Sequence, residues 1–260
     1  MTDLKRRVAQ KMAKVAMFHI GRSGSTVTGD LLSQNPNIYW DGELFEATMH
    51  GSFRYFSQLL PGRLTEFVRL HALKARLLKG GAKYYGFETK FFHLSRAQVA
   101  LEDYLADLGG LGLSHVIVLK RKNYLRKMIS SAIAQQRQQY HLGAHEASSL
   151  TKVSLPVEAA AIDRATQPLV SHFQQWDESF RALDRAVGEL PVLRLTYEDD
   201  VSDNPQVAYG KICDFLGIEV EQAQVGFAKT NPFAVQEMLL NFEQVAEALA
   251  GTPYEWMLWD

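Results

Sequence analysis

A short polar loop between an apolar segment and a helical pattern carries residue types that bind anions. Residues 21–26 read Gly-Arg-Ser-Gly-Ser-Thr and follow the apolar run 14–20. A strand that enters a glycine turn and then a helix directs free backbone N–H groups and the positive end of the helix dipole at the turn. Arg22 adds a permanent charge with a forked set of donors, and Gly24 lets the backbone approach a ligand closely. The hydroxyl groups that add further donors belong to Ser23, Ser25 and Thr26.

This segment, the anion loop (residues 21–26), differs from the loop of nucleoside-triphosphate-binding enzymes. That loop reads GxxxxGK[ST], and its lysine stands next to the hydroxyl residue that holds magnesium. Here Ser25 takes the place of the lysine after Gly24, and the cation has moved to Arg22. The sequence therefore predicts a nucleotide whose terminal group is bound without the usual lysine and magnesium. The alternative is an ordinary glycine turn capped by serines.

A basic cluster of Lys120, Arg121 and Lys122 lies at the end of the clearest strand pattern, residues 114–123. Ligands of parallel α/β sheets bind outside the carboxyl ends of the strands, where this cluster lies. Cations at a helix N-terminus are unfavourable unless an anion sits among them. Ser130 follows two helical turns later, so either Arg121 or Lys122 could hold a phosphate together with it. Two anion sites at neighbouring strand ends predict a ligand with phosphates at both ends.

The elements that must position these residues alternate between strand and helix. Apolar, β-branched patterns predict strands over 14–20, 83–94, 114–123 and 190–197. Periodicity and cap signals predict helices over 25–34, 43–80, 95–109, 125–140, 157–187 and 205–217, and a loop over 141–155. This alternation predicts an α/β fold, with a parallel sheet flanked by helices in a single domain over residues 1–260. Residues 1–13 are expected to be a helical or frayed lead-in.

Composition narrows the class of protein. The chain has 260 residues, of which 47% are hydrophobic, and a formal net charge of -1, which argues against a nucleic-acid partner. Its single cysteine, Cys213, cannot form an internal disulfide or a Cys-rich metal site. With no apolar run long enough for a membrane span or a signal peptide, we expect a cytoplasmic protein. A homodimer is a common outcome for such chains.

Four segments in order resemble the sulfotransferases that use 3'-phosphoadenosine-5'-phosphosulfate (PAPS). In that family a [KR]-S-G-[ST]-[ST] loop binds the 5'-phosphosulfate, and residues 22–26 match it residue by residue. The family's second motif is an arginine at a strand end with a serine eight residues later, which grips the 3'-phosphate. That spacing matches Lys122 with Ser130, whereas Arg121 has the better chemistry at a spacing of nine. We favour Arg121 and keep Lys122 as the alternative.

Two more segments resemble the carbohydrate and bacterial small-molecule branch of this family. Residues 35–45 resemble its "NP…GE.F" segment, and residues 193–218 resemble its "YEDL…P…FLG" segment. Residues 46–82 and 140–190 are unmatched. The resemblance implies a P-loop-like α/β core, PAPS as donor, adenosine 3',5'-bisphosphate as product, no metal, and a small-molecule or carbohydrate acceptor.

The resemblance also implies roles for individual side chains. Arg22 would neutralise charge on the leaving oxygen, and Glu43 would be the base, since the carbohydrate branch uses a glutamate in a matching segment. A helix-start carboxylate is the alternative reading of Glu43. His93 is the second candidate base, because the steroid and phenol branch uses a histidine close after a lysine. Lys90 would reach the sulfuryl oxygens or close the pocket.

Other residues have weaker indications. Tyr197 at a strand end supports the loop helix or the adenosine, or is a core tyrosine. Lys229 precedes a helix and could meet the 3'-phosphate, and His19 within its strand is expected to be structural. Residues 43–80 and 140–165 are expected to line the acceptor pocket.

Two other functions remain open from the sequence. A P-loop phosphotransferase would explain the loop, although the missing Gly-Lys pair counts against it. A nucleotide-binding protein that has lost its base would keep the loop, although Glu43 and Lys90 are both present. Dependence on magnesium would distinguish the phosphotransferase from a sulfotransferase. An assay of catalytic activity would distinguish the non-catalytic nucleotide-binding protein.

Overall fold

A five-stranded parallel sheet is the centre of the computed structural model, which describes residues 13–43 and 84–259. The strands of this sheet are β1 (Lys14–His19), β2 (Ile38–Glu43), β3 (Tyr84–Lys90), β4 (Leu113–Lys120) and β8 (Val192–Thr196). Their order in the sheet is β2-β3-β1-β4-β8, and every pair of neighbours runs parallel.

Helices and short strand pairs surround the sheet. The helices are α1 (Ser25–Ser33), α2 (Phe91–Ala97), α3 (Leu101–Gly110), α4 (Tyr124–Arg137), α5 (Leu169–Ala186), α6 (Gln206–Leu216), α7 (Val235–Met238) and α8 (Phe242–Leu249). The short antiparallel pairs are β5 (Leu142–Gly143) with β9 (Phe227–Ala228), and β6 (Ala160–Ile162) with β7 (Ala165–Gln167). A π-helical turn spans Tyr197–Val201, and a 3-10 turn spans Glu255–Leu258. Among the described helices, none is long and apolar enough to cross a membrane.

The core has one apolar layer on each face of the sheet. Because successive side chains of a strand point to opposite faces, β1 contributes to both layers. Val15 and Met17 pack with residues of α1 and α6, whereas Ala16 and Phe18 pack on the other face with residues of α4 and α5. A strand buried on both faces reads as a continuous apolar run, which is why β1 and β4 could be predicted.

The central position of β1 determines where a ligand binds. β1 and β4 are neighbours in the sheet, and the helices that follow them, α1 and α4, pack on opposite faces of it. In open α/β sheets this divergence opens a crevice at the carboxyl end of the strand. The anion loop follows β1 at this point.

The predicted α/β class, with a parallel sheet flanked by helices, is confirmed. The predictions for residues 1–12 and for helices over 44–80 lie outside the described residues. The strand β2 was not predicted, and Glu43 is its last residue.

Two predicted helices begin elsewhere. Residues 157–168 do not form the first part of a helix but contain the β6–β7 hairpin, whose turn residues Asp163 and Arg164 have φ of 52° and 67°. The alanine-rich start of this segment favours helix locally, but the hairpin turn prevails and α5 begins only after Pro168. Ser95, predicted to cap a helix, lies inside α2, and the next helix starts at Leu101.

Candidate functional site

The carboxyl ends of the parallel strands bring the predicted site residues to one edge of the sheet. The anion loop follows β1, and the other strand ends lie on both sides of it. The residues at or just after these ends are Glu43 (β2), Lys90 (β3), Arg121 (β4) and Tyr197 (β8). Residues far apart in the sequence therefore meet around one loop.

The backbone of the anion loop needs glycine where it packs against its neighbours. Gly24 precedes α1 with φ of 80°, a conformation that side chains rarely adopt. A Cβ there would lie 2.6 Å from Cγ1 of Val201 and 3.0 Å from the ring of Tyr197. Arg22 also has positive φ, 53°, which is uncommon for a residue other than glycine and is typical of functional sites.

The guanidinium of Arg22 reaches across the crevice. Its Nε donates to Oγ of Ser130 at 3.0 Å, Nη1 to the carbonyl of Tyr140 at 2.6 Å, and Nη2 to Oγ1 of Thr230 at 3.2 Å. All three of these acceptors are neutral. Burial, followed by the charge of Arg121, holds the pKa of Arg22 below its usual value. The positive charge of Arg22 is therefore not neutralised by its hydrogen-bond partners.

Arg121 lies beside Arg22. Its Nη1 donates to the backbone carbonyl of Arg22 at 2.6 Å, and its guanidinium stacks over the ring of Tyr197 with 4.4 Å between the guanidinium carbon and the ring centroid. The stacking restricts the fork of donors to one orientation. Two cations held this close favour an anion between or beside them.

Lys122 points elsewhere. Its Nζ pairs with Asp199, and its backbone N–H donates to Oε2 of Glu198 at 2.9 Å. The lysine side chain is 44% exposed and does not line the cavity that Arg121 and Ser130 share. The structure thus brings Arg121 together with Ser130 and leaves Lys122 outside.

A cavity of about 300 Å³, the smaller cavity, lies on one side of the anion loop. It is lined by two cationic side chains, Arg22 and Arg121, and by Ser130. Tyr197 also lines it. Lys229 also lines this cavity, with its Nζ 3.3 Å from Oδ1 of Asp203.

A second cavity of about 720 Å³, the larger cavity, lies on the other side of the anion loop. Glu43, Lys90 and Phe92 line it near the strand ends. The two cavities share Arg22, Ser25, Thr26, Tyr140 and His141. A group held at the loop is therefore accessible from both cavities.

The two candidate bases belong to one cluster at the mouth of the larger cavity. Glu43 Oε1 lies 2.5 Å from Nζ of Lys90, and Glu43 Oε2 lies 3.7 Å from Nε2 of His93. His93 is buried on α2, whereas Glu43 and Lys90 are partly exposed to the cavity. The Lys90 side chain also passes over the loop, since a Cβ on Gly21 would lie 3.5 Å from its Cε. Lys90 thus lies between the anion loop and the carboxylate.

The three hydroxyl side chains of the anion loop have different surroundings. Oγ of Ser23 donates to the carbonyl of Gly21 at 3.1 Å inside the loop, and Ser23 is fully buried. The Ser25 side chain lies by the carboxylate of Glu88 and helps to lower the pKa of that group. Thr26 lines both cavities. Ser23 and Ser25 therefore offer a ligand their backbone N–H groups first, and Thr26 offers its side chain.

Sequence reasoning missed several groups around the loop. Thr230 and Asn231 follow β9, and Nδ2 of Asn231 donates to Oγ of Ser130 at 3.2 Å. No local sequence signal marks Thr230 and Asn231, because their place depends on the packing of the chain after α4. His141 falls within the range 140–165 that was expected to line the acceptor pocket. It lies where the two cavities meet, and partial burial with the charges of Arg22 and Lys90 lowers its pKa.

Lys127, one helical turn after the basic cluster at the end of β4, is on α4. It is fully buried at the wall of the larger cavity, with Nζ 2.5 Å from Oδ2 of Asp163 and 4.3 Å from the ring centroid of Trp176. Burial lowers its pKa to about 8, although Asp163 favours the charged form. Within the described ranges, no three His, Cys, Asp or Glu side chains are grouped to hold a metal ion.

Comparison with known proteins gives similarities in fold only. No family model and no curated protein matches the sequence. A sulfotransferase from Alicyclobacillus acidocaldarius is 15% identical, with a TM-score of 0.48 over 95% of this chain and 94% of that one. A sugar kinase from Janibacter sp. HTCC2649 is 11% identical, with a TM-score of 0.40 over 80% and 96%. A mouse sulfotransferase in complex with PAP is 12% identical, with a TM-score of 0.40 over 81% and 60%. At such low similarity, function has to follow from the residues of the site.

Proposed function

We propose that this chain is a PAPS-dependent sulfotransferase that moves a sulfuryl group to a hydroxyl of a small-molecule or carbohydrate acceptor. The observation that carries the proposal is the pair of guanidinium groups at the anion loop, that of the partly buried Arg22 and that of the buried Arg121. Their repulsion is relieved by a ligand with more than one anionic group. The resemblance of residues 22–26 to the 5'-phosphosulfate loop supports PAPS as that ligand.

The smaller cavity fits the nucleotide part of such a donor. Arg121 and Ser130 would bind the 3'-phosphate, and Lys229 at the same cavity would add a further cation. The backbone N–H groups at the start of α1, together with Arg22, would bind the 5'-phosphosulfate. The sulfuryl group then lies at the loop, where the smaller cavity meets the larger one.

The larger cavity would hold the acceptor. Its hydroxyl oxygen forms a bond to sulfur while the bond from sulfur to the bridging 5'-phosphate oxygen breaks, and the hydroxyl proton goes to the carboxylate of Glu43. Arg22 and the loop N–H groups stabilise the charge that grows on the leaving oxygen. The products are the sulfate ester and adenosine 3',5'-bisphosphate.

Lys90 has two anionic partners within reach of its side chain in this arrangement. Its Nζ lies 2.5 Å from Oε1 of Glu43. When the donor is bound, its sulfuryl oxygens at the anion loop would attract the same ammonium and draw it away from the carboxylate that accepts the proton. His93, behind Glu43, orients the carboxylate in this scheme.

A transfer assay tests the proposal. The purified chain is incubated with PAPS carrying labelled sulfur and a panel of phenols, alcohols and saccharides, without added metal. Acceptor-dependent release of adenosine 3',5'-bisphosphate with label in the acceptor is the expected result. Transfer of phosphate from ATP to the same panel, only with magnesium and with no sulfuryl transfer, would support a phosphotransferase instead.

A further inference from the structure

A buried carboxylate lies under the anion loop without lining either cavity. Glu88 is on β3, next to the central strand β1, and is 5% exposed. Its Oε2 lies 3.2 Å from Nε2 of His19, the last residue of β1, and its Oε1 accepts a hydrogen bond from Nε1 of Trp40 at 3.0 Å. The Ser25 side chain is its third partner. Nothing in the proposed chemistry uses this group.

The hydrogen bonds of His19 define its tautomer. Nδ1 of His19 accepts the backbone N–H of Gly21, the first residue of the anion loop, at 3.1 Å. A ring nitrogen that accepts a hydrogen bond carries no proton, so the proton of the neutral ring is on Nε2, beside the carboxylate. The contact of Nε2 with the Glu88 carboxylate does not have the geometry of a hydrogen bond, so its attraction is mainly electrostatic.

The partners of Glu88 keep it ionised. Burial alone raises the pKa of a carboxyl group, but His19, Trp40 and Ser25 together lower the pKa of Glu88 to about 2. The carboxylate therefore interacts with three elements: it accepts a hydrogen bond from Trp40 on β2, and it lies beside His19 on β1 and Ser25 at the start of α1. Through His19 and Ser25 it reaches both ends of the anion loop.

The surrounding glycines make room for this arrangement. A Cβ on Gly86 would lie 2.2 Å from Cε3 of Trp40, and a Cβ on Gly29 would lie 2.5 Å from Nε1 of the same indole. The same atom on Gly29 would also lie 2.9 Å from Oε1 of Glu88. Only glycine at both positions lets the indole reach the carboxylate.

We infer that Glu88 is a positioning residue for the anion loop, and that it holds His19 in the tautomer that binds the N–H of Gly21. This inference deepens the proposed function and rests on it for the identity of the ligand. Electrostatics alone gives the opposite expectation, since a negative charge under the loop repels a bound polyanion. Removing the charge on Glu88 therefore weakens ligand binding if Glu88 positions the loop, and strengthens ligand binding if its repulsion of the anion is the larger effect.

The test combines nitrogen NMR of the histidine ring with hydrogen exchange of the Gly21 amide in the full chain. In the wild type we expect a protonated Nε2, an unprotonated Nδ1 and a protected Gly21 amide. Glu88→Gln has only one acceptor oxygen and turns an NH2 group toward a donor, so we expect exchange at Gly21 to be faster by about tenfold. Trp40→Phe removes one donor to Glu88 and spares His19, so it is expected to have a smaller effect in the same direction.

Two substitutions of His19 separate its two contacts. The amide oxygen of asparagine can take the place of Nδ1, and the amide nitrogen of glutamine can take the place of Nε2. We expect His19→Asn to protect the Gly21 amide better than His19→Gln does. Equal exchange at Gly21 in the wild type, Glu88→Gln and His19→Gln, or a proton on Nδ1, overturns the inference.

Binding of adenosine 3',5'-bisphosphate supplies the second readout. We expect Glu88→Gln to bind it more weakly by about tenfold, because a displaced loop loses hydrogen bonds to the anion. Unchanged or tighter binding means that the charge of Glu88 matters more than its contacts and overturns the inference. If the wild type does not bind the bisphosphate, the proposed donor is wrong, and the exchange of Gly21 still decides the role of Glu88.

Discussion

The guanidinium of Arg121 donates a hydrogen bond from Nη1 to the backbone carbonyl of Arg22 at 2.6 Å. This bond joins the end of β4 to the loop after β1, and it holds a second cation beside the side chain of Arg22. Burial and the repulsion from Arg121 disfavour the charged form of Arg22 and lower its pKa. An anionic ligand would convert the repulsion into attraction, which is why this contact supports a nucleotide site.

Arg121→Ala is expected to weaken binding of adenosine 3',5'-bisphosphate by about tenfold to a hundredfold, since hydrogen bonds to charged groups contribute about 1.5–3 kcal/mol. Lys122→Ala is the matched control, because that lysine is the next residue and pairs with Asp199 outside the smaller cavity. Calorimetric titration of both variants measures the difference. A loss with Lys122→Ala and none with Arg121→Ala would reverse our assignment of the 3'-phosphate.

Arg22→Lys is expected to lose most of the affinity that Arg22→Ala loses. The guanidinium donates through three nitrogens to three different acceptors, and a single ammonium cannot replace that fork. We expect binding of the bisphosphate to be weaker by about tenfold or more in both variants. Full affinity in Arg22→Lys would mean that charge alone is needed at this position.

Glu43→Gln is expected to reduce kcat by about 10²–10⁴-fold, the usual contribution of a general base. Binding of adenosine 3',5'-bisphosphate should be unchanged, because Glu43 lines the larger cavity and not the smaller one. His93→Gln is the comparison, and we expect it to reduce kcat less. The opposite order of the two variants would make His93 the base.

The ionised form of Glu88 should make stability dependent on pH in acid. Its pKa is about 2 in the folded chain, below the ordinary value of 4.5, so the unfolded chain takes up the proton first as pH falls. The stability that the ionised carboxylate contributes is therefore present above about pH 4.5 and is lost as pH falls toward about 2. Denaturant unfolding of the wild type and Glu88→Gln at about pH 6 and pH 3 measures it. A difference in free energy of unfolding that grows at the lower pH would contradict this assignment.

Gly29→Ala is expected to destabilise the fold by about 1–3 kcal/mol, because the new methyl group would meet the indole of Trp40 and the carboxylate of Glu88. Gly210→Ala is the matched control, also within a helix, with no neighbouring atom within 4 Å of the new Cβ. That control should be more stable by about 0.5–1 kcal/mol. Equal stability of the two variants would mean that Trp40 can move away from Gly29 at little cost.

The parts of the fold that could be predicted have local signals. The anion loop and the start of α1 follow from the glycines and hydroxyl residues of a short segment, and β1 and β4 follow from apolar runs buried on both faces. The β6–β7 hairpin could not be predicted, because the turn at Asp163 and Arg164 uses two non-glycine residues with positive φ. Helix propensity in that segment was a misleading signal.

The parts of the site that were missed depend on contacts between distant segments. Glu88, His19 and Trp40 meet only because β3 pairs with both β1 and β2. Likewise, Glu43 and His93 meet only because the ends of β2 and β3 are neighbours. From the sequence alone, the two residues were alternative candidates for the base. Pairing of strands far apart in the chain is the information that local patterns lack.

The most direct test of the proposed function is calorimetric titration of the wild type with adenosine 3',5'-bisphosphate, ATP and ADP, each with and without magnesium. We predict micromolar binding of the bisphosphate without metal, and weaker binding of ATP and ADP. Tight binding of ATP only in the presence of magnesium, with no binding of the bisphosphate, would contradict a PAPS-dependent sulfotransferase and favour a phosphotransferase.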